Sequence, residues 1–271
     1  MSQLDAPPPP PLVQPAPPVA YRPGGRIHPP FVAVVLYTLR ACLPAKRWFG
    51  VLLPCAGALL FAWIVQAVDS EDQVEAYSEI ARQGLFGLIL PLACLVIGDA
   101  VLGADARAGT FQLTWLSPVR FSTIAVGRWL GGWLVALVTV VPAFALATVI
   151  AGQPESIGAM ALAAAAGSAA YIALFLLLGV LVKRSTIWSL AVVLVGERLV
   201  GAELSGIGQI SPMWQAQQVF SGLWEDSQQY ILRDGMPEGT AAVVRLGIVA
   251  AVCLVVATWR LGRMRPLSGD D

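Results

Sequence analysis

Residues 104–128 read ADARAGTFQLTWLSPVRFSTIAVGR. This is the longest break in apolar character in the middle third of the chain. It holds Asp105, Arg107, Arg120 and Arg128, with Gly109 and Pro118 as punctuation. An apolar run of about 20 residues enters it and another leaves it, and about 20 is the length that crosses a bilayer core. A polar segment between two such runs is a membrane loop. Its surplus of arginine places it on the cytoplasmic side.

Composition agrees. The 271 residues are 57% apolar and 13% charged, against about 25% charged in a soluble domain. That deficit, with long uncharged runs, predicts an integral membrane protein. The formal net charge is zero, so charge balance implies neither a nucleic acid nor an acidic partner. Cys42, Cys55, Cys94 and Cys253 all fall outside the predicted outer loops, so no disulfide framework is expected. The N-terminal residues are Pro-rich rather than basic and then apolar, unlike a cleavable signal peptide.

Outward from the loop, the chain divides into an arm (1–30), a helical membrane domain (31–265) and a short tail (266–271). The arm carries the run Pro7–Pro11 and further prolines to Pro30. Proline lacks a backbone donor and favours extended polyproline II, so the arm is expected to be disordered. Residues 31–49 are apolar at first and then carry Arg40, Lys46, Arg47 and Trp48. That pattern predicts an amphipathic helix on the inner membrane surface, ended by Pro44. Six spans follow: 48–68, 83–103, 129–151 (or from Phe121), 157–182, one from Ser185 interrupted by Glu197 and Arg198, and 240–259. The fold class is an all-α integral membrane protein. The outer segment 200–238 either dips back into the membrane as short helices or is an ordinary outer loop with an interfacial helix.

The basic residues orient the domain. Arg22, Arg26, Arg40, Lys46, Arg47, Arg107, Arg120, Arg128, Lys183, Arg184, Arg260, Arg263 and Arg265 make 13 of the 17 Lys and Arg residues, and all fall on one predicted side. Both termini are therefore expected in the cytoplasm.

Arg107-Ala-Gly109-Thr110, followed by Leu116-Ser117-Pro118-Val119-Arg120, resembles the signature of ABC type-2 transporter permeases. Gly127-Arg128 is similar to the Gly-Lys that often opens the third span there. The span count, the interfacial helix and the long outer segment before the last span fit the same family, over roughly 31–265. One departure is that Ala106-Arg107 stands where the family has Glu-Arg, with Asp105 one place earlier. The resemblance implies a transmembrane subunit forming half of a dimeric pathway with an identical or related permease chain. It also implies export or flopping of an amphipathic, lipid-like, glycan, drug or peptide substrate across a bacterial inner membrane. In the family this loop is a coupling helix seated in a groove of a separate ATPase subunit. Asp105, Arg107, Gly109, Thr110, Phe111, Trp115, Ser117, Pro118 and Arg120 are the contact residues so implied. The sequence holds no G-x-x-x-x-G-K-[ST], so ATP and Mg²⁺ belong to that partner.

Charges inside predicted spans are costly and mark candidate sites. Counting at 1.5 Å per residue puts Glu197 about 18 Å and Arg245 about 21 Å from the inner face, so the two are expected to pair, with Arg198 as the alternative partner of Glu197. Asp99 lies near the inner face and is expected to pair with a cytoplasmic arginine. Chemistry of other kinds finds little support. The one histidine, His28, lies in the arm, which disfavours a Ser-His hydrolase. No Cys, His or carboxylate set has metal-ligand spacing. Two other readings remain: an ion-coupled secondary transporter, weakened because Glu197 alone qualifies well as its central carboxylate, and a structural subunit transmitting ATPase motion to a partner.

Overall fold

The computed structural model describes residues 29–42, 45–67, 72–103, 119–182, 185–200, 205–233 and 235–263. Their secondary structure is entirely helical. Five helices are long and apolar enough to cross a membrane: Phe49–Ala67, Gln73–Val101, Phe121–Ile150, Pro154–Leu181 and Gly239–Arg263. The chain is thus an all-helical, multi-pass membrane protein. Large apolar side chains face outward along these helices, among them Phe49, Leu53, Val138, Val244 and Val255. A protein in water would hide such faces, whereas lipid does not penalise them.

The helices α1 (Pro30–Cys42) and α2 (Ala45–Ala67) come first. Pro30 opens α1 at the position where a missing backbone donor costs nothing, so the helix begins one residue inside the arm assigned from sequence. The rest of that arm, 1–28, and the tail 266–271 lie outside the described residues. The third helix, α3 (Gln73–Val101), starts at Asp72, whose Oδ1 accepts from the N–H groups of Val74 (3.0 Å) and Glu75 (3.1 Å). From Ala81 to Ile89 it winds more widely, in the π manner. The tighter winding resumes at Leu90–Gly98, with Pro91 in its first turn, so the donor that proline lacks falls at the seam.

Two long helices follow, α4 (Phe121–Ile150) and α5 (Ile157–Leu181). The earlier of the two starts allowed for α4, at Phe121, is the observed one. α5 is the central helix, packed on α3, α4 and the two helices after the break described below. Its Ala- and Gly-rich face permits this: a Cβ on Gly167 would stand 2.9 Å from Leu90 Cδ2 and 3.1 Å from Ala216 Cβ. α1 packs along α4 rather than standing apart. Val34 and Thr38 rest on Gly127 and Gly131, where a Cβ would come within 2.9 and 2.7 Å of them. Small residues four apart let two helix backbones approach closely.

The fifth expected span is not one helix of bilayer length. Among the described residues, α6 (Ser185–Ala191) continues as π-type winding over Val192–Val200, and this stretch is not among the helices of bilayer length. α7 (Pro212–Leu223) follows, and then α8 (Gly239–Arg263). Within 200–238 the described residues form short helices, of which α7 is packed among the long ones. α7 packs against α5, α8 and the π-type part of α3, and Met213, Ala216, Val219 and Phe220 are buried. The physical reason lies in Gly196-Glu197-Arg198. A buried carboxylate needs donors, and a continuous helix keeps its own N–H groups for itself, whereas the start of a second helix has spare ones.

Where α3 begins, the Tyr230 hydroxyl donates to Asp72 Oδ2 at 2.7 Å. That bond, with the two capping N–H groups, holds the Asp72 carboxyl below its ordinary value of 3.8. A depressed carboxyl stabilises the fold at pH values above its ordinary titration, and the contribution disappears as pH falls through the lowered value. In Tyr230→Phe the thermal midpoint should therefore lie below that of the parent protein at neutral pH, and the gap should close on acidification, because the variant has less of this contribution to lose. Superimposable acid profiles would show that the bond contributes nothing.

Candidate functional site

The break in the crossing gathers polar groups at the middle of the bundle. The Glu197 carboxylate is 3% exposed. The hydroxyl of Tyr171, on α5, donates to Oε2 at 2.5 Å. Ser211 Oγ donates to Oε1 at 2.7 Å, and the Met213 N–H points to the same oxygen at 3.5 Å. Trp214 Nε1 donates to the Glu197 carbonyl oxygen at 3.2 Å. Ser211 is also the N-cap of α7, its oxygen facing the Trp214 N–H. The carboxylate thus sits at the N-terminus of α7, where spare N–H groups and the helix dipole favour negative charge. One side chain fastens α5, the π-type segment and α7 together.

The expected Glu197–Arg245 pair is not present. Arg245 Nη1 donates instead to Gln209 Oε1 at 3.3 Å, and Glu197 takes its donors from α5 and α7. Equal depth along two helices does not set azimuth: the Glu197 side chain turns into the bundle, toward hydroxyls that satisfy it. Arg198 turns the other way and donates to Gln83 Oε1 on α3 at 2.9 Å. Arg82 and Glu79 form an ion pair at 2.7 Å on the surface. Asp99 accepts from Thr186 Oγ1 at 2.9 Å, which ties the start of α6 to the end of α3.

α7 is unusually polar for a buried helix. Gln215, Gln217 and Gln218 are fully buried. Gln215 Nε2 donates to the Gln209 carbonyl (3.1 Å) and Gln217 Nε2 to the Arg82 carbonyl (2.9 Å). Both amide atoms of Gln218 and the remaining oxygens of the other two have no partner among the described residues. Polar atoms in that condition are expensive in a membrane interior.

The second candidate region is the loop 104–120. Asp105, Arg107, Gly109, Thr110, Phe111, Trp115, Ser117 and Pro118 lie outside the described residues. Arg120 is described: it is exposed and takes an extended conformation at the N-cap of α4. The helices that flank the loop are described. Arg128, two turns further into α4, is 4% exposed. Its Nη1 donates to the Val101 carbonyl oxygen at 2.8 Å, on the last turn of α3 before the loop. Its guanidinium lies 5.7 Å from the Tyr37 ring centre on α1. A cation on the final carbonyls of a helix satisfies orphan acceptors and complements the dipole. Arg128 therefore locks together the helix that enters the loop, the helix that leaves it, and α1.

Sequence reasoning counted Arg128 as a loop cation and did not single out Tyr171 or Ser211. Ser211-Pro212 is legible as an N-cap followed by a first-turn proline, and it marks the start of α7. Nothing in the α5 sequence distinguishes Tyr171, because its role depends on a partner 26 residues away. Among the described residues no group of three or more His, Cys, Asp or Glu side chains is placed to hold a metal. No protein-family model matches the chain, and none of the curated proteins compared with it matches.

Proposed function

We propose that this chain is the transmembrane subunit of an ATP-driven exporter of the ABC type-2 kind, forming half of a dimeric pathway. In this reading a separate ATPase, carrying ATP and Mg²⁺, docks on the 104–128 loop. The substrate is an amphipathic, lipid-like, glycan, drug or peptide solute. The membrane is a bacterial inner membrane, with both termini in the cytoplasm. The supporting observation is the mooring of the loop. Its two flanking helices and α1 share the buried Arg128 and the Gly127/Gly131 contact with Val34 and Thr38. Force applied to a short rigid element so anchored moves three helices as a body, which is how packed helices transmit a switch. The sequence supports it through Arg107, Gly109-Thr110 and Ser117-Pro118, and through Phe111 and Trp115, two aromatics on a polar loop.

Trp115→Ala tests the reading. An aromatic anchor contributes about 2 kcal/mol or more at an interface, so ATPase affinity should fall about 30-fold. Arg107→Glu should weaken docking too, more strongly at low salt. The measurement is ATPase recovered per permease, with substrate-stimulated hydrolysis on the same sample. Unchanged values in both variants would sink the coupling assignment.

The ion-coupled reading draws on a specific observation as well. A buried carboxylate at a break between two half-helices, with a helix N-terminus turned on it, is the arrangement secondary transporters use near the membrane midplane. Transport by the chain alone, driven by a pH or ion gradient and abolished in Glu197→Gln, would favour it over the ATP-driven one.

A further inference from the structure

The guanidinium of Arg198 has a neutral partner, the Gln83 amide oxygen at 2.9 Å, and among the described residues no carboxylate lies within ion-pair distance of it. Its neighbour Glu197 is turned inward and engaged by Tyr171 and Ser211. Both residues of the Arg198–Gln83 contact stand on π-type winding, Val192–Val200 and Ala81–Ile89, which occurs often at functional sites. Gly87 leaves space beside the cation: a Cβ there would stand 3.9 Å from Arg198 Nη2.

The level of this contact matters. Gln83 is exposed and follows directly on Arg82, where the charged first turns of α3 give way to apolar residues. The guanidinium therefore reaches the boundary between polar and apolar surface. Below it, Val195, Leu194, Trp188 and Ile187 form an exposed apolar stripe. Ile187/Trp188 and Leu194/Val195 are two pairs seven positions apart, about two helical turns, with the exposed Leu190 between them. From Arg198 to Ile187 is 11 positions, about 16 Å at helical rise, a length along which acyl chains can lie.

We propose that Arg198 and Gln83 form a headgroup site for an anionic phospholipid of the surrounding bilayer, whose acyl chains lie along the Val195–Ile187 stripe. A cation at the polar boundary above an exposed apolar stripe is complementary to a phosphate carried on hydrocarbon chains. Arginine binds phosphate through charge-assisted hydrogen bonds, and the Gln83 amide nitrogen is free to supply a further donor. The site stands without the ATP-driven reading, because nothing in it involves the 104–128 loop.

The test uses the full chain in a neutral detergent. Thermal unfolding is followed against added phosphatidylglycerol, against phosphatidylcholine of the same chains, and against inorganic phosphate. Phosphatidylglycerol should stabilise at lower concentration than phosphatidylcholine, and inorganic phosphate should not stabilise. Arg198→Gln should weaken phosphatidylglycerol about tenfold, the effect of one charge-assisted hydrogen bond, while Arg198→Lys should keep most of the preference. Gln83→Glu supplies the decisive variant, since position 83 is exposed and tolerant. Its carboxylate would occupy Arg198 directly, leaving the lipid-free midpoint undiminished and abolishing the preference. Retention of the full preference in Arg198→Gln and Gln83→Glu overturns the proposal. So does equal stabilisation by inorganic phosphate, which would make the site one for a free anion.

Discussion

Replacing Glu197 by alanine should destabilise the purified protein by about 3–5 kcal/mol. The change leaves two buried hydroxyls and a backbone N–H without their acceptor, at about 1–3 kcal/mol each before relaxation. It also removes the anion from the N-terminus of α7. Glu197→Gln keeps an acceptor oxygen in the same place and should cost about 1–2 kcal/mol. Arg245→Gln should cost less than about 1 kcal/mol, because it gives up one long contact to a neutral amide. The measurement is thermal unfolding in detergent of the three single variants and the Glu197→Gln/Arg245→Gln double variant. The structure expects the double variant to show additive losses, as for groups that do not touch. An Arg245→Gln penalty as large as that of Glu197→Ala, with recovery in the double variant, would mean that the two charges pair after all.

A side chain at Gly222 should be tolerated still less than its small size suggests. A Cβ built there stands 2.1 Å from the backbone nitrogen of Gly239 and 2.7 Å from its Cα. The obstruction is main chain, which has no rotamer by which to move aside. Gly239 in turn has φ +54°, a left-handed conformation that side chains resist. The end of α7 and the start of α8 thus meet backbone to backbone. Gly222→Val should cost about 3 kcal/mol, the upper end for overpacking. The matched control is Gly247→Ala on α8, where a Cβ meets nothing within 4 Å. There the gain in helix propensity should leave stability unchanged or raised by up to about 1 kcal/mol. Equal midpoints for Gly222→Val and the parent protein would show that the approach of α7 to α8 is looser than described.

Much of the architecture was readable in the chain. Runs of about 20 apolar residues, divided by arginine-bearing breaks, located five bilayer-length helices. Pro44, Pro118 and the Gly-rich turns punctuated them. The run after Ser185 misled because its mean apolarity resembles that of a span. Only Gly196, Glu197 and Arg198 signalled a break, and a local count of charges cannot tell a tolerated intramembrane pair from the end of a helix. The charge-pair expectation failed for a related reason: depth is additive along a helix, whereas direction around it is set by what packs there.

By itself the sequence determined the class of this protein, all-helical and membrane-embedded. Those properties follow from hydrophobicity summed over lengths comparable to a bilayer, and no tertiary contact can reverse such a sum. Tertiary structure alone decided how three charged side chains are satisfied. Glu197 meets Tyr171 and the start of α7, Arg198 meets Gln83, and Arg128 meets the last turn of α3 and Tyr37. Each of these partners except Ser211 lies more than 25 positions away in the chain. In a medium without water every such group must find a donor or acceptor within hydrogen-bond reach, and which one it finds depends on how helices distant in sequence are rotated against each other.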